Sequence, residues 1–156
     1  MCWIGKIEDR KIAQEDIKCK KVLEAYNDHY YAYYHEYFEY ELGKVYEAEI
    51  KPEIIRLDKW ETCRIQEGLH CYNLNIKPKR LCGGTMEIQN EFGRTTCYPT
   101  RAIDFKVVLV ECTIPKGAEY YENGNGEIVT EKYTLDKIVH PYIESDKFKN
   151  LEERYE

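Results

Sequence analysis

The segment that decides the predicted fold is Val107-Val108-Leu109-Val110-Glu111-Cys112-Thr113-Ile114. Four apolar residues in succession, rich in β-branched side chains, are typical of a buried strand. Pro115-Lys116-Gly117 follows at once, and proline and glycine rarely continue a central strand. The sequence therefore predicts a core strand over 107–114 that ends in a turn.

Further strands are predicted after this segment. Tyr120–Val129 contains the steps Asn123-Gly124 and Asn125-Gly126, which tolerate the positive φ of a hairpin turn. Tyr133–Val139 is the next predicted strand. We therefore expect a C-terminal hairpin region over residues 107–139.

The N-terminal half has weaker patterns. Asp16–Leu23 alternates imperfectly between apolar and polar residues, which predicts a strand. In the tyrosine-rich stretch that follows, an i, i+4 spacing of aromatic residues favours a turn or short helix over 26–34. Apolar and acidic residues then alternate, which predicts a strand over 36–42.

Within the loop-rich middle of the chain, residues 64–106, the least regular pattern lies over 73–106. Pro78, Gly83-Gly84, Gly93 and Pro99 interrupt it, so we expect loops with one short helix near 99–105. Near the C-terminus, residues 148, 151 and 155 are apolar or aromatic at helical spacing, which predicts a terminal helix over 143–155. The predicted fold class is α+β, with antiparallel strands dominant and a few short helices.

Composition sets the class of protein. The chain has 156 residues and a formal net charge of −6, which fits a single domain over residues 1–156. No apolar run approaches the roughly 20 residues that cross a bilayer, and the first residues lack a signal peptide's apolar core. We therefore expect a cytoplasmic protein without a membrane partner. Duplex DNA is an unfavourable partner for an acidic chain.

The seven cysteines are odd in number and irregularly spaced, as expected for reduced thiols. Ligand types for zinc are present, but no C-x₂₋₄-C pair accompanies them, so no metal and no cofactor is predicted. Motifs for serine, zinc-protease or P-loop chemistry are missing from the sequence, and Ser145 is its one serine. A cysteine enzyme stays a minor alternative, because neighbours such as His70 and Cys71 diverge on a strand.

Positive charge collects in the middle of the chain. Residues 64–106 contain seven Lys or Arg against four acids, and fifteen tyrosines offer flat faces for stacking. Cations for phosphate and aromatic faces for a base are what a nucleotide site needs. The candidate ligand-binding residues are Arg64, His70, Tyr72, Arg94, Tyr98, Arg101, Lys116, Tyr120 and Tyr121.

Three segments carry a resemblance to known proteins: Phe38–Glu47 (FEYELGKVYE), Ile65–Tyr72 (IQEGLHCY) and Cys112–Asn123 (CTIPKGAEYYEN). They resemble segments of small phage and prophage proteins and of proteins from gut Bacteroidota and their phages. The resemblance implies a mobile-element context, a bacterial host cell and a strand-rich fold. It implies no catalytic residue, and Leu69 stands where the pattern usually has an aromatic residue.

These observations predict a non-enzymatic phage or mobile-element protein that sequesters a small anionic nucleotide, such as an immune second messenger. One alternative is a protein–protein inhibitor of a host defence or metabolic protein, whose acidic, tyrosine-rich surface over 26–46 meets a basic partner. A second is an ADP-ribosyltransferase-like enzyme, because Gly68–Tyr72 loosely resembles the core strand of such enzymes, with Glu127 or Glu131 as the acid. A homo-oligomer stays open.

Overall fold

The fold is described from a computed structural model of the chain. The structure describes residues 3–32, 38–56, 62–73, 77–82, 85–89, 95–99, 106–143 and 149–150. These residues form seventeen strands. In chain order the strands are β1 Trp3–Lys6, β2 Arg10–Ile12, β3 Ile17–Tyr26, β4 His29–Ala32, β5 Glu39–Tyr40, β6 Val45–Glu47, β7 Pro52–Arg56, β8 Thr62–Ile65, β9 Leu69–Asn73, β10 Lys77–Cys82, β11 Thr85–Gln89, β12 Thr95–Pro99, β13 Lys106–Ile114, β14 Glu119–Glu122, β15 Glu127–Thr130, β16 Lys132–Ile143 and β17 Lys149–Asn150.

The described part of the chain is nearly all β, so the predicted α+β class is wrong. Its one helical element is a 3-10 turn over Ile7–Asp9, and it contains no helix that is long and apolar enough to cross a membrane. The predicted terminal helix over 143–155 is wrong too. Ile143 ends β16, and Lys149–Asn150 pairs as β17 with the edge of β10, whereas a short isolated helix is only marginally stable in water. Residues 144–148 and 151–156 lie outside the described residues.

Of the turn or short helix predicted near 26–34, the described residues contain the turn, which joins two strands as a hairpin. Asn27 and Asp28 form the turn between β3 and β4 with φ values of 48° and 64°. Two central residues at positive φ are characteristic of the tight hairpin turn, and Asn and Asp tolerate that conformation. The strand predicted over 36–42 is shorter than expected, because β5 covers Glu39–Tyr40; residues 33–37 lie outside the described residues.

Strands also occupy much of the region that was predicted as loops. β10, β11 and β12 form an antiparallel meander, and β17 completes a four-stranded sheet. Cys82 of β10 pairs with Thr85 of β11, while residues 83–84 lie outside the described residues. The part of this region that the structure describes is therefore strand, where loops were predicted. The helix predicted near 99–105 lies, apart from Pro99 at the end of β12, outside the described residues.

The largest sheet is antiparallel and centres on the predicted core strand. Its order is β2-β14-β15-β9-β3-β13-β16-β6, and β4 and β5 extend it from the far end of β3. The strand prediction over 107–114 is confirmed by β13, in which Val107, Val108, Leu109 and Val110 are all fully buried. Because successive residues of a strand face opposite sides, an unbroken apolar run means that both faces of β13 are covered.

Two hydrophobic clusters stabilise the described part of the fold. The first lies on one face of the large sheet, where β3, β13 and β16 contribute residues such as Leu23, Val110 and Leu135. The second joins the large sheet to a three-stranded sheet of order β1-β8-β7. Its members are Trp3, Cys63, Ile65, Tyr121 and Val129.

Candidate functional site

A cluster of aromatic and aliphatic residues reaches the surface at β5 and β6, two outer strands of the large sheet. We call it the aromatic patch; its members are Phe38, Tyr40, Leu42, Val45 and Tyr46. β5 ends the β3-β4-β5 extension, and β6 ends the large sheet. Phe38 is 47% exposed and Val45 is 49% exposed, so large apolar groups here face solvent.

The turn between β5 and β6 holds the patch together. Gly43 adopts φ +84°, a backbone conformation that glycine takes at no steric cost. Its N–H donates to the carbonyl oxygen of Leu135 in β16. The turn between β5 and β6 is therefore tied to β16 by a backbone hydrogen bond.

The rings of the patch contact one another. The Phe38 and Tyr40 ring centroids are 4.8 Å apart, and those of Tyr40 and Tyr46 are 4.9 Å apart with an interplanar angle of 72°. Tyr133 adds a fourth ring from the core, 6.4 Å from Tyr46 and at 85° to it. Edge-to-face pairs at these separations are attractive, so the exposed rings are anchored to buried ones.

Hydrogen bonds fix the orientation of the tyrosines. The backbone N–H of Glu41 donates to Oη of Tyr46 over 2.7 Å, and Oη of Tyr133 donates to Oη of Tyr40 over 3.3 Å. Burial, together with the neighbouring Tyr40, raises the pKa of the Tyr133 phenol well above its usual range. The Tyr133 phenol is therefore a neutral hydrogen-bonding group at physiological pH.

Two lysines lie over rings of this cluster. The Nζ of Lys44 is 5.5 Å from the Tyr46 centroid, and the Nζ of Lys21 is 5.6 Å from Tyr40 and 5.8 Å from Tyr133. Ammonium groups within about 6 Å of a ring centroid are attracted by its π electrons. The cluster thus already binds cations of the chain itself.

Carboxylates alternate with the patch along the chain. Residues 38–49 contain Glu39, Glu41, Glu47 and Glu49, all exposed, against one lysine. Glu39 contacts Nδ1 of His29, and Glu47 forms a 3.2 Å ion pair with Lys132. The surface around the rings is therefore acidic, which favours positively charged ligands within a Debye length of it.

An open cleft of about 730 Å³ adjoins the patch beyond β6. Glu47, Glu49 and Glu131 line it together with Lys116 and Lys132. Lys116 is one of the predicted anion-binding residues, and its backbone N–H donates to the Asp16 carboxylate over 2.9 Å. The cleft holds more carboxylates than ammonium groups, so it does not form an anion pocket around Lys116.

The structure places three of the predicted stacking tyrosines in or against the core. Tyr72 is 6% exposed and Tyr121 is 3% exposed. Tyr121 packs edge to face on Trp3 with ring centroids 5.7 Å apart. Half-buried Tyr120 packs against the first cluster. Burial first, and nearby glutamates second, raise the pKa of both Tyr120 and Tyr121.

The predicted cations are described only in part. Nη2 of Arg64 in β8 donates to both carboxylate oxygens of Glu53 at 3.0 and 3.1 Å. His70 in β9 pairs through Nε2 with the carbonyl oxygen of Gln66 at 2.9 Å. Arg94 and Arg101 lie outside the described residues; Tyr98 lies in β12, but its side chain is outside the described part. The nucleotide site therefore stays a prediction.

The residues named for the enzyme alternatives, Glu127, Glu131 and Cys71, are hydrogen-bonded or buried within the fold. Glu131 accepts the Glu119 N–H through Oε1 at 2.9 Å, and Glu127 accepts from Asn123 Nδ2 at 3.1 Å. Cys71 lies buried beside Cys19 and Cys112. Side-chain hydrogen bonds with Cys112 and Cys71, together with burial, raise the pKa of Cys19 well above its usual range, which disfavours a reactive thiolate.

The described residues contain no group of three or more His, Cys, Asp or Glu side chains that could hold a metal ion. The candidate site that they do contain is the aromatic patch. Sequence reasoning placed an acidic, tyrosine-rich surface over 26–46 among its alternatives, but it did not identify Lys21 or Tyr133 as members of the same cluster. Comparisons with known protein families, with curated proteins and with solved structures find no match to this chain.

Proposed function

We propose that this protein is a non-enzymatic binding protein whose aromatic patch binds a basic segment of a partner protein. The observation that carries the proposal is the exposure of Phe38 and Val45 beside rings that already hold ammonium groups. Aromatic residues are enriched where proteins bind each other, because a rigid ring buries much area at a small cost in conformational entropy.

The chemistry of the partner follows from the charge of the patch. Four exposed glutamates lie in the same segment as the rings, so a positively charged segment gains Coulomb attraction, while an acidic one is repelled. Lysine and arginine also place a cation on a ring face. Arginine and lysine side chains bury their aliphatic stems as well, which suits the apolar atoms of Leu42 and Val45.

In this proposal the basic segment belongs to a host protein that the chain inhibits by occupying its surface. The mobile-element context implied by the sequence resemblance supports that role, and it puts the interaction in the cytoplasm of a bacterial cell. Sequestration of an anionic nucleotide is the competing proposal. It rests on Arg94 and Arg101, since Arg64 is paired with Glu53 and the rings of Tyr72 and Tyr121 are buried.

A peptide titration tests the proposal. We expect hexalysine to bind the protein in calorimetry and hexaglutamate to show no binding. Phe38→Ser should weaken hexalysine binding about tenfold, as for the loss of a central interface ring. Ile54→Ser is the matched control, because Ile54 is equally exposed but lies in β7 of the small sheet.

Two results would contradict the proposal. One is that hexalysine shows no saturable binding to the wild-type chain. The other is that Phe38→Ser and Ile54→Ser weaken binding to the same extent, since the peptide would then be held by net charge alone.

A further inference from the structure

We propose that Lys44 is an internal occupant of the Tyr46 ring face, and that the partner's lysine or arginine side chain binds there by displacing it. This inference rests on the proposed function, and it identifies the exchange at the centre of that site. It makes Lys44 a residue that sets the affinity and selectivity of the patch.

The position of Lys44 supports an exchangeable contact. Its Nζ lies over the Tyr46 ring, 5.5 Å from the centroid, and the residue is exposed in the turn next to Gly43. Among the described residues no carboxylate forms an ion pair with Lys44. The ring is thus the contact that orients its ammonium group, and an exposed contact of this kind is weak.

The ring itself is held in place. Oη of Tyr46 accepts the N–H of Glu41 at 2.7 Å, and Tyr40 and Tyr133 pack against the ring at 4.9 and 6.4 Å between centroids. A ring fixed by neighbours does not have to reorganise when the cation over it changes. The aliphatic stem of lysine is flexible, so Lys44 is the part that can leave.

Lys21, in the same cluster, is a cation whose position over the rings is fixed by a second contact, in contrast to Lys44. Its Nζ lies within 6 Å of the Tyr40 and Tyr133 centroids, and it also donates to the carbonyl oxygen of His70 at 2.7 Å. That bond keeps the ammonium in place from the inner side of the sheet. Lys44 lacks such an anchor among the described residues, so the two cations differ in how readily an incoming cation replaces them.

Competition predicts the effect of removing Lys44. A bound cation must displace the resident ammonium, and it also meets a like charge, so Lys44 weakens binding of a basic segment. Lys44→Gln should therefore bind hexalysine about two- to fivefold more tightly than the wild-type chain, the factor expected for one exposed ammonium–ring contact. Lys44→Arg keeps a cation over the ring and should bind with wild-type affinity.

Lys11→Gln is the matched control for the change in net charge. Lys11 is exposed in β2, at the opposite end of the large sheet from β6. Its substitution changes overall charge by the same unit but leaves the Tyr46 ring occupied. Hexalysine affinity measured by calorimetry at 0.15 M salt, where the Debye length is about 8 Å, should rise clearly in Lys44→Gln and much less in Lys11→Gln.

NMR provides a direct view of the exchange. In the free protein the ε-methylene protons of Lys44 should be shifted upfield by the Tyr46 ring, and Tyr46→Leu should abolish that shift. Saturation with hexalysine should return the Lys44 signal to its ordinary position. The affinity gain of Lys44→Gln should also vanish in the Tyr46→Leu background.

The outcomes separate the two proposals. If hexalysine binds the wild-type chain but leaves the Lys44 signal unchanged, or if Lys44→Gln gains no more affinity than Lys11→Gln, the exchange is overturned and the proposed function stands. If hexalysine binds no variant, the proposed function fails and the exchange fails with it.

Discussion

Tyr120 and Tyr121 are neighbours in β14, yet their rings enter two different clusters. Tyr120 packs against the large cluster on one face of the sheet, while Tyr121 packs on Trp3 between the two sheets. Alternation along a strand imposes this divergence. Both rings were predicted to stack on a ligand; the structure shows that both pack against hydrophobic clusters.

Tyr121→Ala should destabilise the protein by about 3–5 kcal/mol, the usual cost of removing a large buried aromatic side chain. It removes the edge-to-face contact with Trp3 and opens a cavity beside Val129. Tyr120→Ala should cost clearly less, because its ring is half-buried. Urea denaturation followed by circular dichroism measures both, and equal losses in the two variants would contradict the packing described here.

Alkaline pH should destabilise the fold. The pKa of Cys19 is raised above its ordinary 9.0 and that of Tyr133 above its ordinary 10.0. The unfolded chain therefore loses these protons at lower pH than the folded one, so stability falls as the pH rises above about 9. Urea midpoints measured from pH 7 to 11 should be flat at first and then decline.

Tyr133→Phe isolates one contribution to this decline. It removes the phenol that resists ionisation, so its stability should fall less steeply than that of the wild-type chain above pH 10. At pH 7 the same change should cost about 1 kcal/mol for the lost hydrogen bond to Tyr40. A pH profile parallel to that of the wild-type chain would show that Tyr133 is not the group responsible.

Gly43→Ala should loosen the aromatic patch. Gly43 has φ +84° and an added Cβ would meet no atom within 4 Å, so the cost is backbone strain of about 1–2 kcal/mol. Gly117→Ala is a close control, with φ +90° and equally open space. Both variants should lose similar stability in urea, but Gly43→Ala alone should weaken hexalysine binding. Equal hexalysine affinity of both variants would show that the turn at Gly43 does not contribute to the binding site.

Nucleotides should not stabilise the protein if the patch is its binding site. We expect cyclic dinucleotides, cyclic trinucleotides and cyclic ADP-ribose isomers to leave Tm unchanged, because a ligand raises Tm only through binding to the folded chain. A rise in Tm that disappears in Arg94→Gln and Arg101→Gln would instead establish the predicted anion site.

The strongest local patterns predicted structure well. The predicted strand over 107–114 corresponds to β13, and the hairpin predicted within Tyr120–Val129 corresponds to β14 and β15. Asn123 explains the turn, because its Oδ1 accepts the N–H groups of Asn125 and Glu127 at 3.0 and 3.1 Å. These are short-range interactions, so they are visible in sequence.

The parts of the fold that were not predicted depend on pairing between strands that are distant in sequence. Spacing of apolar residues near the C-terminus is compatible with a helix, but the free edge of β10 gives Lys149–Asn150 a strand partner instead. Alternation also predicts that Tyr120 and Tyr121 point to opposite faces, but not that β1 and β8 of the three-stranded sheet pack on the second face. That sheet assembles from residues more than fifty positions away from Tyr121 in sequence.

The candidate site, too, has a part that local sequence patterns predict and a part that depends on long-range strand pairing. Alternation of Phe38, Glu39, Tyr40 and Glu41 indicates an amphipathic strand with aromatic residues on one side. Its completion by Lys21 of β3 and Tyr133 of β16 depends on how the strands pair. Sequence therefore suggested an acidic, tyrosine-rich surface, and the structure supplies the cations over its rings.

The most direct test of the account is an NMR map of the backbone amides during titration with hexalysine. If the aromatic patch binds the peptide, the shifts should be saturable, largest over residues 38–47, and smaller in Phe38→Ser. Shifts centred outside that segment, or no shifts at saturating peptide, would contradict it.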